Sequence, residues 1–505
     1  MTQVRATRKE WIGLAVIALP CAIYAMDLTV LNLAVPKLTE DLRPTSAQML
    51  WIIDIYGFMV SGLLITMGTL GDRIGRRRLL MMGAAFFALA SIVAAYSRTA
   101  EMLIITRAIL GLAGATVAPS TLSLIRNMFH DAQQRTTAIG IWIASYSVGG
   151  AIGPLVGGVM LERWWWGSVF LLAVPVMMAV LVLGPMLLPE YRDENAGRID
   201  LPSVALSLGA VLPIIYGLKH IAQDGVSALA TSSIIIGVIA GILFVRRQRG
   251  LEDPVIDVTL FRIPAFSVAL ISYSLAGFVA FGSFVFTAQY LQLVLGLSPL
   301  QAGLYTLPSS LAFIAGSLIT PRLVRSFAPH HVTAAGLGLA AFGLAMLTRL
   351  DAHTGVWYIV ISTLIYSLGL VPLFVLATDF IIGSAPPERA GAASAISETA
   401  GEFGAALGIA VLGSIGMAVY RNGIADSIPD NLPAAAADAA RGTLGGAIGV
   451  AQQLPRDVAI QLLGAARDAF ANSLQFVVAV GAVIALALAF MQFKVSRSPG
   501  RMEHS

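Results

Sequence analysis

Apolar runs of about twenty residues, the length that crosses a bilayer as a helix, alternate with short polar turns along the whole chain. Six begin near Trp11, Met49, Leu79, Met102, Thr137 and Gly167. After the polar stretch "LPEYRDENAGRID" (188–200), two more cover about 201–219 and 228–245. After a second charged stretch, 246–262, six more begin near Ala265, Pro299, Val332, Gly355, Glu388 and Ala471. The pattern predicts an all-α membrane protein of 14 transmembrane helices in three groups. These are an N-terminal six-helix bundle (1–190), a linker with two additional helices (191–250) and a C-terminal six-helix bundle (251–505). The one long loop, 419–469, forms either short amphipathic helices, in "PAAAADAARGTLGGAIGVAQQL" and "RDVAIQLLGAARDAF", or a solvated linker.

Composition agrees with that class. Hydrophobic residues make up 57% and charged residues 12% of 505, with mean hydropathy +0.81; a soluble domain carries about 25% charge. The basic N-terminus leads directly into the first span and is read as a retained helix, not a cleaved signal. Counting Lys and Arg in alternate loops gives 21 on the side of the termini and 10 on the other, with Arg107 left inside a span. The bias places both termini in the cytoplasm. Net charge is only +4, and no basic run is interleaved with aromatics, which excludes a nucleic-acid partner. No lysine follows a glycine as a phosphate-binding loop requires, no G-x-S-x-G elbow occurs, and the histidines lack zinc-ligand spacing. The expectation is no enzyme activity, no metal and no cofactor. The single cysteine, Cys21, forms no disulfide within the chain and reads as a small core residue. Trp164, Trp165 and Trp166 read as an interfacial belt, with ligand stacking as the alternative.

Charges inside spans are costly and mark function. Asp27 in "MDLTVLNLAVP", Asp54 in "WIIDIYGF" and Arg107 in "TRAILGLAGA" occupy similar depths in the outer half, which points to a network in a polar cavity. Snorkelling to the outer interface is the alternative for Arg107, and a shallow interfacial position that for Asp54. Glu398 and Glu402, four residues apart in "AISETAGEFGAALGIAVLGSIG", share one helix face near mid-membrane. The alternative is a later helix start, with the pair capping it. Asp379 is a secondary candidate. The turn "GTLGDRIGRRRLL" (68–80) places Gly68, Gly71, Asp72, Arg73, Gly75 and Arg76 between the second and third spans. Its glycines permit a tight turn and close helix approach, and Asp72 can pair with an arginine or cap a helix. In "GGAIGPLVGG" (149–158), Gly149, Gly153, Pro154, Gly157 and Gly158 make a thin, kinkable helix surface.

These motifs, in this order, resemble the major facilitator superfamily, and with fourteen spans its drug:proton antiporter branch. "WIIDIYGF", "WGSVFLLAVP" and "GAASAISETAGEFG" look most like bacterial pumps for quaternary ammonium compounds, methyl viologen and cationic dyes, of the Qac, Smv and Lfr type. The resemblance implies two bundles of inverted repeats around a central cavity, with alternating access. It implies that 68–80 latches the bundles on the cytoplasmic face, that the Asp27 region carries proton coupling, and that Glu398 and Glu402 recognise cationic drugs. The expected partners are small cationic drugs, protons and membrane lipids; the expected form is a monomer in the bacterial inner membrane. Desolvation strengthens an acid's hold on its proton, and a cation favours the ionised form, so drug and proton compete. The alternatives are export of a neutral natural product or metabolite and, less favoured, a membrane protein that transports nothing.

Overall fold

The computed structural model describes residues 6–44, 46–192, 200–251, 254, 256, 258–386, 390–425, 428 and 433–495, and a few side chains within its helices are outside that description. In chain order the helices are α1 (Arg8–Leu42), α2 (Ser46–Ile74), α3 (Arg76–Ala95), α4 (Ala100–Gly114), α5 (Val117–Met128), α6 (Ala132–Arg163), α7 (Ser168–Leu171), α8 (Ala173–Leu187) and α9 (Leu201–Asp224). Then come α10 (Ala228–Gln248), α11 (Pro264–Gln289), α12 (Pro299–Leu323), α13 (Pro329–Leu347), α14 (Val356–Gly383), α15 (Ala390–Ile424), α16 (Ala434–Gly442), α17 (Leu444–Ala451) and α18 (Arg456–Val495). Helices α4 and α5 cross as one span, as do α7 and α8, and α11 runs on into one π-helical turn at Tyr290–Val294. Among the described residues, fourteen segments are long and apolar enough to cross a membrane, the number and order that the sequence pattern predicts.

The difference lies before the last span. Helix α15 runs to Ile424, α16 and α17 follow, and α18 already begins at Arg456, ahead of the predicted start at Ala471. The segment 419–469 is therefore mostly helical, and "RDVAIQLLGAARDAF" is the first part of the last helix. Arg456, Asp457, Arg467 and Asp468 interrupt the apolar run there and conceal the helix from a hydropathy reading. Leu462, Ala466 and Phe470, at four-residue spacing, are nevertheless buried on one face. The Tyr420 hydroxyl ties α16 to α15 by donating to the Ala440 carbonyl at 3.0 Å.

Two large apolar cores organise the molecule. One joins α1 to α8 around residues such as Ile17, Phe87, Leu110 and Met177; the other joins α11 to α18 around Phe266, Leu344 and Leu474. Val371, Val375 and Ile382 of α14, with Ala390 of α15, belong to the first core, so the two halves interlock along a seam. The additional pair α9–α10 is tied together where Arg247 reaches both Asp200 oxygens, at 2.6 and 2.8 Å. Phe58 of α2 packs with Val211 and Ile215 of α9 and with Phe403 of α15. Helix α9 thus touches both halves.

Candidate functional site

Arg107 is 1% exposed, near the middle of α4. An unpaired guanidinium there would be strongly destabilising. It is held from three directions. Its Nη1 pairs with Asp27 Oδ2 from α1, its Nε donates to the Ile52 carbonyl of α2 at 3.1 Å, and its Cζ lies 4.8 Å from the centre of the Tyr56 ring. A carboxylate, a carbonyl and a π face together replace the water the cation has lost. Arg107 does not snorkel. Asp27 also borders a cavity of about 10 Å³ lined by Ile23, Val30, Leu31, Val169, Phe170 and Ala173. That is roughly the room one water molecule needs. Asp54 belongs to α2, but its side chain lies outside the described residues.

The glutamates sit well inside α15, which starts at Ala390, so neither caps it. Tyr273 Oη of α11 donates to Glu398 Oε1 at 3.5 Å, and Ser61 Oγ of α2 donates to Glu402 Oε2 at 3.4 Å. Both bonds are long and correspondingly weak, so a stronger cationic partner could replace them. Helix α15 thus turns one acid toward its own half and the other toward the first half. Aromatic rings gather around the pair from both halves. Tyr24 of α1 meets Tyr56 at 5.9 Å and Tyr146 of α6 at 5.5 Å, while Tyr273 meets Phe374 of α14 at 5.3 Å. The charges of Glu398 and Glu402 both reach Tyr24, and that of Glu398 reaches Tyr146. A pair of carboxylates with aromatic rings nearby can attract an organic cation twice over, through charge and through the ring quadrupoles. The tyrosines were not among the sequence candidates. Their signal was a phenol hydroxyl inside an apolar span.

The turn 68–80 lies at one end of the seam. Arg76, fully buried, pairs with Asp72 and donates from Nη1 to the Gly68 carbonyl at 2.7 Å. A Cβ on Gly68 would come within 2.7 Å of the Gly391 carbonyl and of Ala395 Cβ, and one on Gly391 would overlap the Arg76 guanidinium. The two backbones touch because both positions are glycine. Gly71 leaves room for Arg76, and Arg73 lies half-buried at the end of α2. Gly75, at φ +111°, takes a conformation open mainly to glycine. Beside it, Glu190 accepts from the Arg77 and Arg78 amides at 3.1 and 3.2 Å. The positive end of α3 is thus capped by an acid from the far end of the first half.

Asp379 lies at this same end. Its Oδ1 accepts from Arg135 Nε at 2.6 Å and its Oδ2 from the Thr136 hydroxyl at 2.5 Å, which joins α14 to the start of α6. Further along α6, Gly149 and Gly157 face Ala22 and Val30 of α1, and Gly153 is buried. Gly158 faces open space, and the Pro154 side chain lies outside the described residues.

A fold of two interlocked six-span halves, a turn of this type at their seam and an intramembrane Asp–Arg pair point to one family. The profile of the Major Facilitator Superfamily matches residues 17–409. The chain belongs to that superfamily. It is 43% identical over 485 residues to "Multidrug efflux pump LfrA" of Mycolicibacterium smegmatis, covering 96% of both chains. It is 34% identical over 499 residues to "Methyl viologen resistance protein SmvA" of Salmonella typhimurium, covering 95% of this chain and 99% of that one. The two names match the Lfr and Smv types that the motifs resemble. Among solved structures, the human organic anion transporter MFSD10 (TETRAN) superposes with a TM-score of 0.60 over 94% of this chain and 99% of its own, at 15% identity. That likeness speaks for the major facilitator fold alone.

Proposed function

We propose that this superfamily member is a proton-coupled multidrug efflux antiporter that exports lipophilic cations by alternating access. It works in the bacterial cytoplasmic membrane as a monomer, with both termini inside, and needs no metal, cofactor or nucleic acid. The observation that carries the reading is the pair Glu398 and Glu402, which accept long hydrogen bonds from Tyr273 and Ser61 and lie among tyrosines drawn from both halves. A monovalent cation finds one carboxylate and several π faces there; a dication finds two carboxylates. The Asp27–Arg107 pair supplies a second ionisable centre, in the other half, beside a cavity too small for a drug. Its carboxylate exchanges a proton, while Arg107 stays charged.

The contacts at the 68–80 end give the cycle a starting point. The basic-residue count favours a cytoplasmic position for that end; in this reading the contacts there seal the inner side, and the drug leaves to the outside. Proton uptake by the acids then weakens drug binding, and the return to the inward-facing state carries the proton in. Moving one charge against 100 mV costs about 2.3 kcal/mol, so a dication needs at least two protons for electroneutral exchange. The reading is tested by ethidium accumulation in cells with and without the protein. Expression should lower accumulation, and an uncoupler should abolish the difference. Unchanged efflux after collapse of the proton gradient would end the proposal.

A further inference from the structure

The two acid centres stand on different helices, and Tyr56 is within reach of both. Tyr56 is 0% exposed on α2, five positions before the Ser61 that donates to Glu402. One side of its ring carries the Arg107 guanidinium at 4.8 Å. Its other close ring neighbour is Tyr24, at 5.9 Å and tilted by 50°, and Tyr24 in turn meets Tyr146 at 5.5 Å. The charges of Asp27, Arg107 and Glu402 all reach Tyr56. Its hydroxyl is buried without a hydrogen-bond partner among the described residues. Packing and the arginine, not a hydrogen bond, therefore set where the ring sits.

We propose that Tyr56 is the positioning residue that transmits the proton state of Asp27 to the drug site, a step that rests on the antiporter reading above. With Asp27 ionised, Arg107 is shared among its carboxylate, the Ile52 carbonyl and the Tyr56 ring. When Asp27 takes up a proton, the carboxylate's charge is lost, and the ring and the carbonyl are what remain to hold the cation. The ring follows the guanidinium, and Tyr24 and the Ser61 turn of α2 move with it against the glutamates. Drug binding and proton binding are then linked across the first half, in addition to any direct competition at Glu398 and Glu402. Linkage of this kind is reciprocal. The titratable and charged groups facing the relay are Arg107 from α4, Tyr24 and Asp27 from α1, Tyr146 from α6, and Glu398 and Glu402 from α15. The walls of the cavity at Asp27 given by α7 and α8 are Val169, Phe170 and Ala173.

The test is the pH dependence of tetraphenylphosphonium binding to the full-length purified protein. In the wild type, affinity should fall by up to about tenfold per pH unit for each linked proton as pH is lowered. Asp27→Asn and Tyr56→Leu should each flatten this dependence by the same amount, and the double variant should flatten it no further, as for two parts of one pathway. Tyr56→Phe keeps the ring and should behave as the wild type. All four variants should elute in size-exclusion chromatography and unfold on heating as the wild type does, which shows that they are folded, and the comparison is between slopes against pH, not absolute affinities. A Tyr56→Leu protein that retains the full pH dependence overturns the relay, as does a Tyr56→Phe protein that loses it. A wild type with no pH dependence at all would instead overturn the antiporter reading beneath it.

Discussion

Asp379 and Arg135, 244 residues apart, meet at 2.6 Å across the seam between the two halves. The Thr136 hydroxyl completes the grip on the second carboxylate oxygen. The same end of the seam is closed by Arg76 lying against Gly391. One clasp is charged and the other depends on backbone contact, so they can be tested separately.

For the charged clasp, Asp379→Ala leaves a half-buried arginine without its carboxylate, a loss of about 1–3 kcal/mol. The sealed state should become less populated by about fivefold or more, since 1.4 kcal/mol is a factor of ten. Spin labels on either side of the seam should report longer distances, and the swap Arg135→Asp with Asp379→Arg should bring the short distance back. A seam unchanged in Asp379→Ala would mean that this pair does not hold it.

For the backbone clasp, Gly68→Ala should prevent closure because its methyl meets the Gly391 carbonyl, and Gly391→Ala should do so because its methyl displaces the buried Arg76 guanidinium from Asp72 and the Gly68 carbonyl. Efflux should fall by at least about tenfold. Along α6 the glycines should divide. Gly149→Ala intrudes on the Ala22 carbonyl and should impair transport, whereas Gly158→Ala adds a methyl to open space and should change it little. Dye-efflux rates at matched expression decide this; equal losses at 149 and 158 would contradict the division.

Two ties outside the cavity bear on stability. Glu190→Ala removes the cap at the start of α3 and should lower stability by about 1 kcal/mol, read as a lower unfolding temperature. The Arg247 guanidinium, with help from Ser203, holds the half-buried Asp200 carboxyl well below the usual carboxylate range. A lowered folded-state value means that this pair's contribution is fully present above the ordinary carboxylate pKa and is lost as pH falls through the lowered one. Between pH 5 and 8, roughly the span in which carboxylates stay ionised, its contribution should be constant. Asp200→Asn should shift the unfolding temperature equally at both ends of that window; a shift found only at one end would assign the effect to another group.

How much of this was legible depends on how loudly each residue speaks in an apolar context. An arginine and an aspartate inside spans must find partners, so Asp27 with Arg107 could be expected before any coordinates. Helical spacing placed Glu398 and Glu402 on one face. The fourteen spans follow from apolar runs, except where the charged first turns of α18 disguise a helix. Tyr56 and Tyr273 gave only the faint signal of a phenol hydroxyl in an apolar run, because an aromatic residue there looks like core until its neighbours are known. Arg135 read as a loop charge, and Glu190 as part of a polar linker. Their roles come from tertiary contacts across 244 and 113 residues, which no local pattern encodes.

The glutamates themselves give the last prediction. Glu398 accepts from Tyr273 within the second half and Glu402 from Ser61 of α2, both over long bonds, so a bound cation competes with partners on both halves. Two anions this close are costly to ionise together unless a cation compensates them. A dication compensates two charges, and a monocation one. Replacing either glutamate by glutamine keeps size and hydrogen bonding but removes one charge, so methyl viologen or chlorhexidine resistance should fall by about tenfold or more, the equivalent of 1.4 kcal/mol, and ethidium resistance by less. Asp27→Asn acts at the proton centre and should abolish gradient-driven efflux of every substrate. Resistance assays on the three single variants separate the roles. Equal losses for dications and monocations in the glutamine variants would move the pair from drug recognition to coupling, and no loss in either would leave Glu398 and Glu402 as structural residues of α15.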